Sequence, residues 1–364
     1  MCARTALHAE HLRLGARMMD FHGWELPVQF EGILAEHRHC RTAAAVFDTS
    51  HMGQFRIRAR PEALAHLTTQ NAPALPVGRC QYGLLLNEAG GILDDTILMR
   101  LGQEDFLLVG NGRTARSDFA WVSSRLGAGE AVLQSAEGGW CKLDLQGPRS
   151  AQALAPLTDA NLRSLRYFHV TLASVCGQPC ILSRTGYTGE LGYEIFAPAE
   201  GVVGIFREFL ANPLVRPAGL GARDSLRLEM GYPLYGEDMD AATNPFEASL
   251  GAFVRFEHDF IGSAALRAAG PPARRRVLFA TAGRQRPLAG NEIEHGGRVV
   301  GRVTSAAFSP SLEAAIGQGY VAAELTAPGT ELAIKAPRHV LAATIAEPPL
   351  YKHGTCRTKE LHLP

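Results

Sequence analysis

Two adjacent carboxylates, Asp94 and Asp95, lie inside the apolar run Ile92-Leu93-Asp94-Asp95-Thr96-Ile97-Leu98-Met99. Side chains alternate across a strand, so only one of the two faces a given side. An inward carboxylate is costly unless it is paired, hydrogen-bonded or used, which makes the pair a candidate for acid–base chemistry. On residue pattern alone, an edge-strand aspartate beside a solvent-facing one is the reading that comes first. Residues 184–194, Arg-Thr-Gly-Tyr-Thr-Gly-Glu-Leu-Gly-Tyr-Glu, carry three glycines that permit close backbone approach. Within them Tyr187 offers a flat face to a ring, and Glu194 can accept two parallel hydrogen bonds from an amidine-like edge. The spacing matches neither a dinucleotide fingerprint nor a P-loop, and by spacing alone the segment is a turn. Arg223, in Gly221-Ala222-Arg223-Asp224-Ser225-Leu226-Arg227-Leu228-Glu229, sits in a helical stretch rich in ion-pair options. A solvated, salt-bridged face is the ordinary reading there; a bidentate grip on a ligand carboxylate is the alternative.

Other reactive residue types are not arranged for chemistry. His37 and His39, at i and i+2, do not share a helix face, and His51 is read as packed or capping. There is no Gly-x-Ser-x-Gly elbow. The seven cysteines are scattered, with only Cys176 and Cys180 close together, so reduced thiols and no metal site are expected.

These residues need elements to hold them. Residues 6–20 and 31–45 read as helices around a Gly/Pro-marked loop at 21–27, and 49–58 as a strand. Apolar runs at 82–86 and 92–99 flank Asn87-Glu88-Ala89-Gly90-Gly91, a hairpin signal. A further run at 106–109 leads through Asn111 into a helix ending near Trp121, which places Asp95 and Asn111 on neighbouring strands. Strands follow at 141–146 and 180–184, and helices at 201–212 and 221–231. Residues 270–276 read as a linker, and 276–346 as short β-runs suited to a small barrel or sandwich.

Lysine plus arginine and aspartate plus glutamate both number 36, so the basic surplus of a nucleic-acid binder is missing. No apolar run approaches the roughly 18 residues of a membrane span. The first residues lack a charged-then-apolar leader, so the expected location is cytoplasmic.

Several segments, taken together and in order, resemble the glycine cleavage system T-protein family of tetrahydrofolate-dependent aminomethyltransferases. They are Met18-Met19-Asp20-Phe21-His22-Gly23-Trp24, Phe47-Asp48-Thr49-Ser50-His51-Met52, residues 87–95 and 184–194, and Ala222 to Glu229. Leu234-Tyr235-Gly236-Glu237-Asp238-Met239, Thr243-Asn244-Pro245 and Asp259-Phe260-Ile261-Gly262 continue the series, with Ser309-Pro310-Ser311-Leu312 and Gly319-Tyr320-Val321 near the end. The likeness spans about residues 6–357.

The resemblance implies an α+β fold: a three-domain, cloverleaf-like arrangement with a C-terminal β-barrel and a central folate channel. The implied division is residues 1–48 plus 140–270, a second domain at 49–139 carrying Asp95, and a barrel at 276–364. It implies transfer of a one-carbon unit from the aminomethyl-dihydrolipoyl arm of a carrier, the H-protein, to tetrahydrofolate, with release of ammonia. Asp95 matches the catalytic acid. Tyr82, Asn111, Tyr167, Tyr187, Glu194 and Arg223 match positions lining the folate site, and Arg357 matches a C-terminal basic contact. A monomer is expected. The alternatives are a tetrahydrofolate-dependent demethylase with another donor and a non-catalytic folate-binding regulator. The Lys-Gly-Cys-Tyr-type string of the iron–sulfur maintenance branch is missing from the sequence.

Overall fold

The computed structural model describes residues 2–127, 129–337, 339–361 and 363. Besides a two-stranded ribbon of Arg17–Phe21 and Trp24–Gln29, three sheets organise these residues, and two of them, packed face to face, position the candidate site.

The five-stranded sheet runs in the order Cys80–Leu86, Ile92–Arg100, Asp105–Gly110, Gly53–Arg58, Ala131–Leu133. Its first two strands are the expected hairpin. The turn is closed by Asn87, whose N–H donates to the Gly91 carbonyl at 2.9 Å while its side-chain oxygen accepts from Gly91 N–H at 2.9 Å. Alternation then sorts the side chains. Phe55, Ile57, Leu85, Leu98 and Leu108 pack under the helices Pro61–Leu67 and Ala115–Ser123. Met99, Leu107 and Val109, from the opposite face, pack against Val170, Ile181 and Phe196 of the next sheet. Each fully buried side chain of this kind contributes about 1.5–3 kcal/mol. Asp95 shares its face with Ile97 and Met99, whereas Asp94 shares the helix-covered face with Leu98.

The six-stranded sheet has the order Val170–Val175, Gln178–Ser183, Gly192–Pro198, Trp140–Gln146, Ala44–Asp48, Val215–Pro217. Cys141, Leu143, Leu145, Tyr193 and Ile195 face helix Ala199–Ala211 through Val202, Ile205, Phe206 and Phe209. Lys142, Asp144, Glu194 and Phe196 therefore face the other way, towards the five-stranded sheet. Asp95 and Glu194 thus project from the two facing surfaces of a packed pair of sheets.

The third unit is a closed six-stranded barrel, ordered Arg274–Thr281, Ala314–Ala322, Arg298–Ser309, Glu292–His295, Glu331–Ala336, His339–Ala346. Helix Leu220–Met230 ties it to the rest: Arg227 donates to Ser305 Oγ at 3.0 Å and pairs with Asp238, while Glu229 pairs with Arg41 at 2.7 Å. The mixed α+β class and the C-terminal barrel are as expected from the resemblance.

Four segment readings need correction. The expected helix at 6–20 is helix His8–Arg13 followed by strand Arg17–Phe21; Gly15, at φ +74°, breaks the chain between them, and the strand pairs with Trp24–Gln29. The expected helix at 31–45 is Ile33–Thr42, after which Ala44–Asp48 becomes a wholly buried strand. In both cases pairing with a neighbouring strand overrides local helix propensity. The strand expected at 49–58 starts only at Gly53, because Thr49 to Met52 closes a turn with Met52 N–H donating to the Thr49 carbonyl. The expected linker at 270–276 already pairs from Arg274, opposite Ala322.

Gly91 is a tight spot: a methyl group there would overlap the carbonyl oxygen of Ala241. Gly91→Ala is expected to cost about 1–3 kcal/mol of stability, the usual range for overpacking, read as an earlier unfolding midpoint in chemical denaturation.

Candidate active site

Asp95 is half-buried and gripped by Tyr82 from the neighbouring strand and by Asn111, which lies just past the end of strand Asp105–Gly110 rather than on a strand as expected. Tyr82 donates its hydroxyl to Asp95 Oδ2 at 3.1 Å, and Asn111 Nδ2 donates to Asp95 Oδ1 at 2.8 Å. The register explains the grip: Leu84 pairs with Asp95 and Tyr82 with Ile97, so Tyr82 reaches Asp95 diagonally on the same face. Burial first, then the adjacent Asp94, push the Asp95 carboxyl up to about 7, against the opposing pull of the Tyr82 and Asn111 donors. It can therefore change protonation state near neutral pH, the condition for a general acid–base group.

On the facing sheet, Asp144 lies directly opposite Glu194, a cross-strand pair of like charges that is unfavourable alone. Lys142 resolves it: its Nζ pairs with Asp144 and, at 2.7 Å, with Glu194 Oε1. Thr185 Oγ1 donates to Glu194 Oε2 at 2.7 Å, and Arg223 pairs with Asp144 Oδ2 at 2.9 Å. Two cations thus balance two anions. The arginine and lysine hold the Asp144 carboxyl below the usual range in spite of its complete burial. Both Glu194 oxygens have a partner, yet an ionised carboxylate offers about four lone-pair sites, so two remain for a ligand's donor pair.

Tyr187 joins the two halves. The Arg223 guanidinium lies over its ring at 4.8 Å, and its hydroxyl, raised mainly by burial, senses both Asp95 and Arg223. The ring stacks on Tyr232 at 5.6 Å and 25°. Tyr232 neighbours Tyr167, over which the exposed Arg357 guanidinium sits at 5.9 Å. The tail reaches this position because Cys356 N–H donates to the Gly189 carbonyl and Thr355 pairs with Glu190. Tyr82, Asn111 and Asp95 are thus in direct contact, as are Tyr187 and Arg223, while Tyr167 and Arg357 connect through Tyr232. Among the described residues no hydrogen bond or ion pair joins Asp95 to Glu194 directly.

Sequence reasoning missed Lys142, Asp144, Thr185 and Tyr232. The available signal was Cys141-Lys142-Leu143-Asp144-Leu145-Gln146, a strict alternation normally read as a solvated strand face. A cavity of about 360 Å³ lined by Leu157, Cys176, Gln178, Gly201 and Ile205 holds none of the candidate residues; a recess touching Arg223, beside Phe47, Asp48 and Gly219, is too narrow to admit a water molecule. His51 is buried and its imidazole is pushed down to about 3, first by desolvation and then by Arg223, so it stays neutral. Among the described residues no cluster of three or more His, Cys, Asp or Glu could hold a metal ion, and no helix is long and apolar enough to cross a membrane.

Residues 7–258 match the GCVT N-terminal domain family, and residues 274–352 match the glycine cleavage T-protein C-terminal barrel domain. The chain belongs to the glycine cleavage T-protein family. An aminomethyltransferase of Thermus thermophilus is 43% identical over 321 residues, covering 87% of this chain and 91% of that protein. One of Symbiobacterium thermophilum is 41% identical over 367 residues, covering 96% and 97%. The crystal structure of glycine cleavage system aminomethyltransferase T from Bartonella henselae superposes with a TM-score of 0.90 at 32% identity, covering 98% of this chain and 99% of that one. Membership of the family extends over both the sheet pair and the barrel, because the two matched regions together span them.

The raised carboxyl makes a stability prediction. Asp95 keeps its proton to about pH 7 when folded, against an ordinary 3.8, so folding loses stability as pH rises between these values and the cost is complete above about 7. Asp95→Asn, which carries no charge, is expected to gain about 1–3 kcal/mol at pH 8, allowing for the residue's partial solvation, and nothing near pH 4. Urea unfolding at the two pH values measures the difference.

Proposed function

We propose that this aminomethyltransferase passes the methylene carbon of an aminomethyl-dihydrolipoyl arm, borne on an H-protein carrier, to tetrahydrofolate bound between the two facing sheets. The observation that carries the reading is Asp95: half-buried, held by Tyr82 and Asn111, poised near neutrality, and adjoining the Tyr187–Arg223 stack.

In the reaction the methylene carbon exchanges its bonds to sulfur and to the amino nitrogen for bonds to two nitrogens of the reduced folate. The two N–H protons released end on the thiol and on ammonia, so one group that takes a proton and returns it suffices. Asp95 is assigned that role. Glu194, through its two free lone-pair sites, accepts the paired N–H donors of the pterin edge, and each such group buried without a partner would cost about 1–3 kcal/mol. Tyr187 and Tyr82 supply flat and wet-ended surfaces for the ring and its linker. Arg223 is committed to Asp144 and Tyr187 and acts by orienting the stack; Arg357, exposed above Tyr167, is available to the carboxylate end of the folate.

The division at 1–48 plus 140–270, 49–139 and 276–364 is proposed with this reading; the membership of the three sheets supports it. A cytoplasmic, monomeric enzyme with no nucleic-acid or membrane partner completes the proposal. The experiment is glycine cleavage reconstituted from labelled glycine, with and without this chain. Label appearing in methylenetetrahydrofolate only when both the chain and tetrahydrofolate are present is the expected outcome. Ammonia release that ignores tetrahydrofolate would point to a different acceptor.

A further inference from the structure

Behind Asp95, on the helix-covered face of the same sheet, lies a second pair of carboxyls that the transfer chemistry leaves unused. Asp94 is wholly buried, and Asp118, from helix Ala115–Ser123, is 3% exposed. They converge on Gly110, where a side-chain carbon would stand 2.7 Å from Asp94 Oδ2 and 3.7 Å from Asp118 Oδ2. The lack of a side chain there makes room for the Asp94 carboxyl, with Asp118 at ordinary contact distance from the same point. Asn111 serves Asp94 twice, its backbone N–H donating to Oδ2 at 2.8 Å and its Nδ2 to Oδ1 at 2.8 Å, and the same Nδ2 donates to Asp95 at 2.8 Å. Asp118 Oδ2 is buried without a donor. Among the described residues no lysine or arginine pairs with either acid, and the N–H donors to Asp94 are those of Asn111.

Two carboxyls meeting in a buried site without a cation do not both ionise. One proton held between them removes the repulsion and gives Asp118 Oδ2 its missing partner. Burial raises both carboxyls above their usual range, and each is further influenced by the other. The surrounding groups are few: Asp95 on the same strand, Asn111 beyond the adjoining strand, Thr114 at the helix start, and Tyr235 from the segment leading to the barrel. The Tyr235 phenol is itself raised to about 12, by burial and then by Asp94, Asp118 and Asp240, with Arg113 opposing. Tyr82 and Tyr187 approach Asp95 from the other face.

We propose that Asp118 is a positioning residue for the transfer reaction: by sharing one proton with Asp94 it keeps Asp94 aligned on Asn111, and Asn111 thereby aligned on Asp95. The inference rests on the reading of Asp95 as the reacting acid, but the shared proton is observable without it.

Infrared spectra of the intact protein at about pH 8 give the first readout, recorded in an Asp95→Asn background so that Asp95 contributes nothing. The buried carboxyls of Asp144 and Asp238 are held low by cations, and that of Glu229 by its His37 hydrogen bond and Arg41, so they stay ionised there. A protonated-carboxyl band is expected with Asp118 present and lost on adding Asp118→Asn, whose amide donates to Asp94 in the proton's place. The second readout is kinetic, with Asp95 intact. Asp118→Asn is expected to keep kcat within about threefold and to move the acid limb of the pH profile upward, because Asp94 then carries a full charge. Asp118→Leu, with no donor to offer, is expected to lower kcat by about tenfold or more with KM for tetrahydrofolate within about twofold. A missing band with Asp118 present, an acid limb unmoved in Asp118→Asn, or a loss in Asp118→Leu confined to KM would each overturn the proposal. If Asp118→Leu does not fold, the band and the limb of Asp118→Asn decide. Full turnover by Asp95→Asn would instead remove the reading of Asp95, and leaves the infrared result standing by itself.

Discussion

Asp95→Asn is expected to lower kcat for tetrahydrofolate-dependent methylene transfer by about 10²–10⁴-fold, the usual share of a positioned acid–base group, while folate affinity changes only a few-fold. The amide keeps the size of the side chain and can still accept from Tyr82, whose hydroxyl lies 3.1 Å from Asp95 Oδ2. What it lacks is the ability to take a proton near neutrality. The carboxyl owes that ability to burial and to Asp94, which together lift it to about 7. The loss should therefore fall on kcat rather than on KM, the mark of an interaction made in the transition state. The same substitution stabilises the fold at alkaline pH, so a loss of activity cannot be put down to unfolding.

Glu194→Gln is expected to do the opposite: to weaken tetrahydrofolate binding by about 10–100-fold, with a smaller change in kcat. Charge-assisted hydrogen bonds are worth about 1.5–3 kcal/mol, and an amide turns one acceptor into a donor facing the donors of the pterin edge. The fold should survive. Lys142, which pairs with Glu194 Oε1 at 2.7 Å, retains Asp144 as its partner, so no cation is stranded in the interior. Anaerobic calorimetry with tetrahydrofolate measures the change in affinity, and a thermal melt checks the fold.

The two candidate acids differed in how far the residues alone could reveal them. The hairpin around Asp95 was legible because Asn87 to Gly91 is a turn flanked by apolar runs, and alternation alone required Asp94 and Asp95 to part company. Which of the two faced the neighbouring sheet was not legible, because that depends on where helix Ala115–Ser123 lies. Glu194 was singled out for its possible fork. Its partners Lys142 and Thr185 were not, since cross-strand register is set by tertiary pairing rather than by local spacing. The ordered resemblance supplied what spacing could not, the expectation that Tyr82, Tyr167, Arg223 and Arg357 line one site. The helix overreach at 6–20 has the reverse cause. Arg17-Met18-Met19-Asp20-Phe21 has no strong strand signal of its own and becomes extended only because Trp24–Gln29 pairs with it.

The most direct test of Asp95 as the group that moves the proton is single-turnover transfer from an aminomethylated carrier to bound tetrahydrofolate, followed across pH in the unmodified enzyme and in Asp95→Asn. The unmodified enzyme should show a rate that falls as pH drops through about 7, and the variant should be slow and flat across that range. A variant as fast as the unmodified enzyme, with the same fall through neutrality, would contradict it.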